Sequence, residues 1–311
     1  MASQAMTPWS PGPSGRSSMN TATLPSSRSS AIEAPKAANF VFRLDTAGYY
    51  PGMGGGATAP PRTQGPRRRL ECVMAETLFS AAELTGQSRS HVVDLDDPRC
   101  SLHKEVVLPF LTLHMAALGD GIDLRPASSF RDFDRQLAIW NGKCRGEREL
   151  RGSDGALLDA RAMRLEELVD AILTWSALPG ASRHHWGTDF DAYDAAAVPP
   201  GYVVQLSAEE FGRGGVFSRL NLWLDEHAEE YGFFRPYVGF RGGVRPEPWH
   251  LSHAEVSEAA LGQFRVEMLQ QALEGAGLEG YDSVRPRLPE IFARYVCNID
   301  RPVSSPGTRL A

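Results

Sequence analysis

Regularly spaced hydrophobic residues begin only beyond residue 74; residues 1–73 show no such period. From Val106 to Leu118, the residues Val106, Phe110, Leu113, His114 and Ala117 share one helical face, and Gly119-Asp-Gly121 ends the run. Leu124-Arg-Pro-Ala-Ser-Ser-Phe130 predicts a short extended segment, after which Asp132 caps a helix through Ile139-Trp140. Met163–Trp175 predicts an amphipathic helix with Leu165, Leu168, Ile172 and Leu173 on its apolar side. Gly187–Tyr193 predicts a strand entered through a turn, and Val203–Leu206 a second short strand. Phe217–Tyr231 repeats Leu220, Leu224 and Ala228 at every fourth position and stops at Gly232. Residues 253–275 and 284–297 predict two closing helices. Short strands among helices, with no internal repeat, make the fold class α+β.

Composition divides the chain. Residues 1–73 hold nine of the 22 prolines and Gly-rich and Ser-rich stretches, which predicts a disordered extension. Globular composition starts near Met74, a candidate for the physiological start, and predicts one domain over 74–311 with 253–311 closing it. The formal charge of −6 combines +5 in residues 1–73 with −11 in the remainder, so the body carries no electrostatic footprint for nucleic acid. The Arg67–Arg69 run is read as a solvated segment. No run is long and apolar enough for a membrane span, and a monomer is expected. No secretory signal is visible, which makes the cytoplasm the default location. Cys72, Cys100, Cys144 and Cys297 form no C-x-x-C pair, which argues against a cysteine zinc site but leaves one disulfide open.

The chemistry lies in Ser182-Arg-His-His-Trp-Gly-Thr-Asp-Phe-Asp191 and Glu247-Pro-Trp-His250, 56 residues apart. Two imidazoles and a carboxylate can hold zinc and leave a fourth position open, and a nearby glutamate can then activate water there. A turn at Gly187 folds a histidine towards the following strand, where Asp189 and Asp191 share a face. Spacing alone leaves His184 competing with His185, and Asp189 with Asp191. Glu247 stands three residues before His250, near enough to reach metal-bound water without being a ligand. His91, His103, His114 and His227 are read as packing or surface histidines.

In combination, S-x-H-x-x-G-x-x-x-D and E-x-x-H resemble the M15 family of zinc D-Ala-D-Ala carboxypeptidases and dipeptidases, related to the hedgehog-type zinc fold. Ser129-Phe-Arg131 with Gln136 is similar to another segment of that family, and Tyr231-Gly-Phe-Phe-Arg-Pro-Tyr237 to its strand before the last ligand. The resemblance covers roughly residues 100–255. It implies a small antiparallel sheet carrying the zinc site, flanked by helices. By the same resemblance His184, Asp191 and His250 are the Zn2+ ligands and Glu247 the general base and later acid. Arg131 stabilises the oxyanion or holds the substrate carbonyl, and Ser182, Gln136 and Ser129 bind substrate. Asp189 is a candidate to orient a ligand histidine. The implied substrate is a short peptidoglycan-derived peptide, which lies outside the cytoplasm. A zinc-stabilised module that binds peptidoglycan without cutting it is the alternative.

Overall fold

The structure is a computed structural model that describes residues 78–302, all within the compact unit 71–311. The expected extension over 1–73, the candidate start at Met74, the arginine run and Cys72 lie outside the described residues. In chain order the elements are α1 (Ala81–Leu84), β1 (Val92–Asp96), β2 (Arg99–His103), α2 (Val107–Gly119), β3 (Leu124–Ser128) and α3 (Phe133–Cys144). There follow β4 (Leu150–Arg151), β5 (Leu157–Leu158), α4 (Leu165–Trp175) and β6 (Asp189–Asp194). Then come α5 (Ala208–Phe211), α6 (Ser218–His227), β7 (Phe233–Phe234) and β8 (His250–His253). The last are α7 (Ala254–Gln263), α8 (Val266–Leu273), α9 (Tyr281–Val284) and α10 (Leu288–Ile291).

The central sheet is antiparallel with the order β3-β6-β8-β7, so the α+β reading and its small antiparallel sheet are what the fold contains. Side chains alternate along β6. Phe190 points into the core, against Phe110 of α2 and Phe233 of β7 with ring centroids 5.2 and 5.5 Å away. Asp189 and Asp191 therefore share the opposite face. Register pairs Asp191 with His250 and Asp189 with Ser252, which sets the two chemical segments side by side. Gly187 is required at the turn before β6: its φ is +67°, and a Cβ there would meet the His103 nitrogen at 2.7 Å.

Several expected elements change. The α3 helix begins at its Asp132 cap, which accepts from the Arg135 N–H at 2.8 Å, and runs on to Cys144. Val203–Leu206 forms no strand. The Gln205 N–H goes instead to Glu210 Oε1 at 2.9 Å, and Leu206 adopts a φ of +54°, which breaks an extended run. The helix after Phe217 tightens to a 3-10 turn over Ala228–Tyr231 and stops at Gly232 with φ +79°. The expected helix 253–275 is two, because Phe264 leaves the helical path to pack between Trp186 and Phe292. The β1–β2 hairpin had no clear alternation and was not anticipated. Cys100, Cys144 and Cys297 are free thiols.

His103 is fully buried, and its Nε2 has no partner. Burial, together with the charges of His91 and Lys104, lowers its pKa from 6.5 to about 4. The unfolded chain then binds a proton that the folded chain refuses, so this ring's contribution is full above pH 6.5 and is lost as pH falls towards 4. The loss is on the order of 2 kcal/mol by pH 5. The difference between urea midpoints at pH 7 and pH 5 should shrink in His103→Gln; an unchanged difference would refute the assignment.

Candidate metal centre

His184 lies in a 3-10 turn, Arg183–Trp186, just before β6; Asp191 lies in β6, and His250 opens β8. One ligand atom of each falls within 4.8 Å of the others, and all three residues are buried. The His184 Nδ1–H donates to the Ser129 carbonyl at 2.9 Å, which leaves Nε2 free, 3.5 Å from Asp191 Oδ2. Burial lowers the His184 pKa to about 4, so the ring is neutral and ready to ligate. His185 is excluded: its Nδ1 donates to the Arg131 carbonyl at 2.5 Å and its Nε2 accepts from the Gly180 N–H at 3.1 Å.

Asp189 does not compete with Asp191. Its Oδ1 sits 2.7 Å from Arg183 Nε and 3.0 Å from His250 Nε2, and its Oδ2 accepts from Thr188. With Nε2–H donated to Asp189, His250 turns Nδ1 towards Asp191 Oδ1 at 3.3 Å and Glu247 Oε2 at 3.2 Å. Asp189 therefore fixes the orientation of the His250 ring. Arg183 holds Asp189 in turn, donates to Ser252 Oγ at 2.6 Å, and lies 4.8 Å from the Trp186 ring centre. Arg183 was not singled out from sequence, because its neighbours in the motif gave no sign of its partner.

Three carboxylates, the buried Asp189 and Asp191 and the partly exposed Glu247, converge on one imidazole. Although burial opposes a charged ring, hydrogen bonds to Asp189, Asp191 and Glu247 hold the His250 pKa well above its usual value. Such a centre demands positive charge. A divalent cation fits it, with neutral nitrogen from His184 and His250 and oxygen from Asp191 as ligands. Burial raises the Glu247 pKa.

The centre opens into a cleft of about 840 Å³, which Arg131 and Ser182 line. The Arg131 guanidinium donates to Gln136 Oε1 at 2.7 Å and Ser128 Oγ at 2.9 Å, and makes no ion pair with Asp132 or Asp134. Gln136 is fully buried and spends its amide on Arg131 and the Ala177 carbonyl, so it positions Arg131 rather than lining the cleft. Ser129 is likewise outside the cleft lining: its hydroxyl accepts from the Ser101 N–H at 3.0 Å, and its carbonyl serves His184. Gln136 and Ser129, expected to bind substrate, both lie outside this cleft's lining, bonded to other residues of the chain.

The last described residues complete this cleft. Ile291, Tyr295 and Val296 line it. Asp300 Oδ2 accepts from the Val238 and Gly239 N–H groups at 2.9 and 3.3 Å, and Asn298 donates to the Arg241 carbonyl at 2.7 Å. These bonds fix the loop that leads from Tyr237, whose ring packs on His250, to Glu247.

A buried His-Asp-His triad beside a glutamate, set on a small antiparallel sheet, defines a metal-hydrolase type of centre. Residues 99–256, half of the chain, match the VanY family, described as D-alanyl-D-alanine carboxypeptidase. The chain belongs to this family of peptidases. A protein of Haemophilus influenzae described as uncharacterized is 36% identical over 125 residues, 40% of this chain and 95% of the relative. A D-alanyl-D-alanine carboxypeptidase of Enterococcus faecalis is 28% identical over 157 residues, and the match spans 49% of this chain and 48% of that protein. Among solved structures, VanYB in complex with D-Alanine-D-Alanine is 21% identical with a TM-score of 0.40, covering 63% of this chain and 90% of that one. Among the described residues no helix is long and apolar enough to cross a membrane.

Proposed function

We propose that the chain is a zinc-dependent carboxypeptidase that removes the terminal residue from short cell-wall peptides of the D-Ala-D-Ala type. The observation that carries this reading is the convergence of His184, Asp191 and His250 within 4.8 Å, with Glu247 beside them but outside the ligand set. His184, Asp191 and His250 would hold zinc, which when bound would supply Lewis acidity and make water a better nucleophile near neutral pH. Glu247 would take a proton from the attacking water and return it to the leaving amine. Arg131, held by Gln136 and Ser128, faces the negative charge that develops on the carbonyl oxygen. Ser182 contributes a hydroxyl at the cleft wall. A purely structural zinc site has no use for Glu247 on the cleft side of the triad, which supports an enzyme over a non-catalytic binding module.

The test is release of D-Ala from a peptidoglycan pentapeptide by zinc-loaded protein, read by mass spectrometry. A chelator should abolish release and added zinc restore it. Elemental analysis of His250→Ala should show loss of the metal. A folded, zinc-loaded protein that cleaves neither D,D- nor L,D-peptides would overturn the reading.

A further inference from the structure

The cleft wall built by α3 carries a second cation besides Arg131. Gln136, Trp140 and Lys143 lie four and seven residues apart on one face of α3. Gln136 is anchored to the Ala177 carbonyl at 2.7 Å, and the half-buried Lys143 Nζ donates to the neighbouring Ser176 Oγ at 2.7 Å. Arg131 and Lys143 are thus fixed to adjacent residues of the same wall, and both line the cleft with Ser182.

Among the described residues Lys143 makes no ion pair; its one bond in the cleft is to a neutral hydroxyl. Arg148, Arg131 and Arg151 are the cations whose charge acts on it, against one carboxylate, Glu247. Glu247 is already committed to the metal centre. Burial, then these cations, lower the Lys143 pKa from 10.5 to about 8. A desolvated ammonium among like charges is stabilised by any anion that enters the cleft. Arg131 is in a similar state, bonded only to neutral oxygens and with its Nε unpartnered.

We propose that the Lys143 ammonium receives a carboxylate of the substrate peptide and selects for it. This rests on the carboxypeptidase reading: with Arg131 serving the scissile carbonyl, Lys143 is the cation beside it for a substrate carboxylate, while of the other arginines lining the cleft Arg151 pairs with Glu149, Arg183 with Asp189, and Arg245 lies over the Phe240 ring. Two sources share this chemistry, the terminal α-carboxylate and a side-chain carboxylate within the peptide.

The test compares wild type, Lys143→Met and Lys143→Arg on three peptides: one with a free C-terminus, its C-terminal amide, and one whose acidic side chains are neutralised. Lys143→Met should lower kcat/KM on the free acid by about 10- to 100-fold through KM, while Lys143→Arg keeps most of it. If the terminal carboxylate is the source, the acid-over-amide preference of wild type collapses in Lys143→Met. If a side chain is the source, that preference survives and discrimination against the neutralised peptide is lost. Equal kcat/KM for wild type and Lys143→Met on all three peptides would overturn the proposal, and so would an equal loss on all three. Calorimetric binding of N-acetyl-D-alanine and of its amide, and of an acetylated peptide with an acidic side chain, separates the subsite from the reaction. Should wild type cleave nothing, the reaction reading fails; the subsite stands only if Lys143→Met still weakens binding of a carboxylate probe by about 10-fold or more.

Discussion

Glu247→Gln is expected to keep its metal and its fold while kcat falls by about 10²- to 10⁴-fold, the usual contribution of a general base. The substitution preserves shape and removes only the charge. Glu247 Oε2 lies 3.2 Å from His250 Nδ1, yet the ligand set is complete without it, so metal affinity should change little. Burial pushes the Glu247 pKa upward, which strengthens it as a proton acceptor. The check is a pairing of elemental analysis with steady-state kinetics. Full zinc with sharply reduced kcat and near-normal KM is the expected result; undiminished turnover would remove Glu247 from the mechanism.

Asp189→Ala should do two separable kinds of damage. The Arg183–Asp189 pair is almost wholly out of solvent, with side-chain exposures of 2% and 0%. Removing one partner leaves a guanidinium without compensation, at a cost of about 3–5 kcal/mol. It also frees His250 Nε2 from the 3.0 Å contact that aims the ring, which should weaken zinc binding by about 10- to 100-fold. The double variant Arg183→Met/Asp189→Ala removes the stranded charge and should regain most of the stability, with zinc affinity still low. Urea unfolding measures the first effect and competition with a chelator the second. An Asp189→Ala protein with wild-type zinc affinity would show that His250 needs no such guide.

The two segments that build the centre were legible because local rules place them. A glycine turn followed by strand alternation puts a histidine and two aspartates on one side, and Glu247 is close to His250 in sequence. What sequence could not decide was which member of each pair acts. His184 and His185 share the same turn, and only the remote carbonyls of Ser129 and Arg131 separate them. Asp189 and Asp191 share one strand face, and Arg183 and Thr188 claim the first. The family resemblance named the pair that the fold brings together, where spacing alone had left four combinations. Gln136 and Ser129, which the resemblance set among the substrate contacts, lie outside the cleft lining and bond to other residues of the chain. The false strand at 203–206 had suitable residue types, but the Glu210 carboxylate captured its backbone. Lys143, Ile291 and Tyr295 gave no local sign at all, since their place in the cleft depends on packing between distant parts of the chain.

The tail that clamps the 238–243 loop lies beyond residue 256, where the family match ends. The sheet of the candidate metal centre and one wall of the cleft therefore come from different stretches of the chain, one inside the family match and one beyond it. Substitutions at Ile291, Tyr295 and Val296 would reshape that wall without replacing His184, Asp191 or His250.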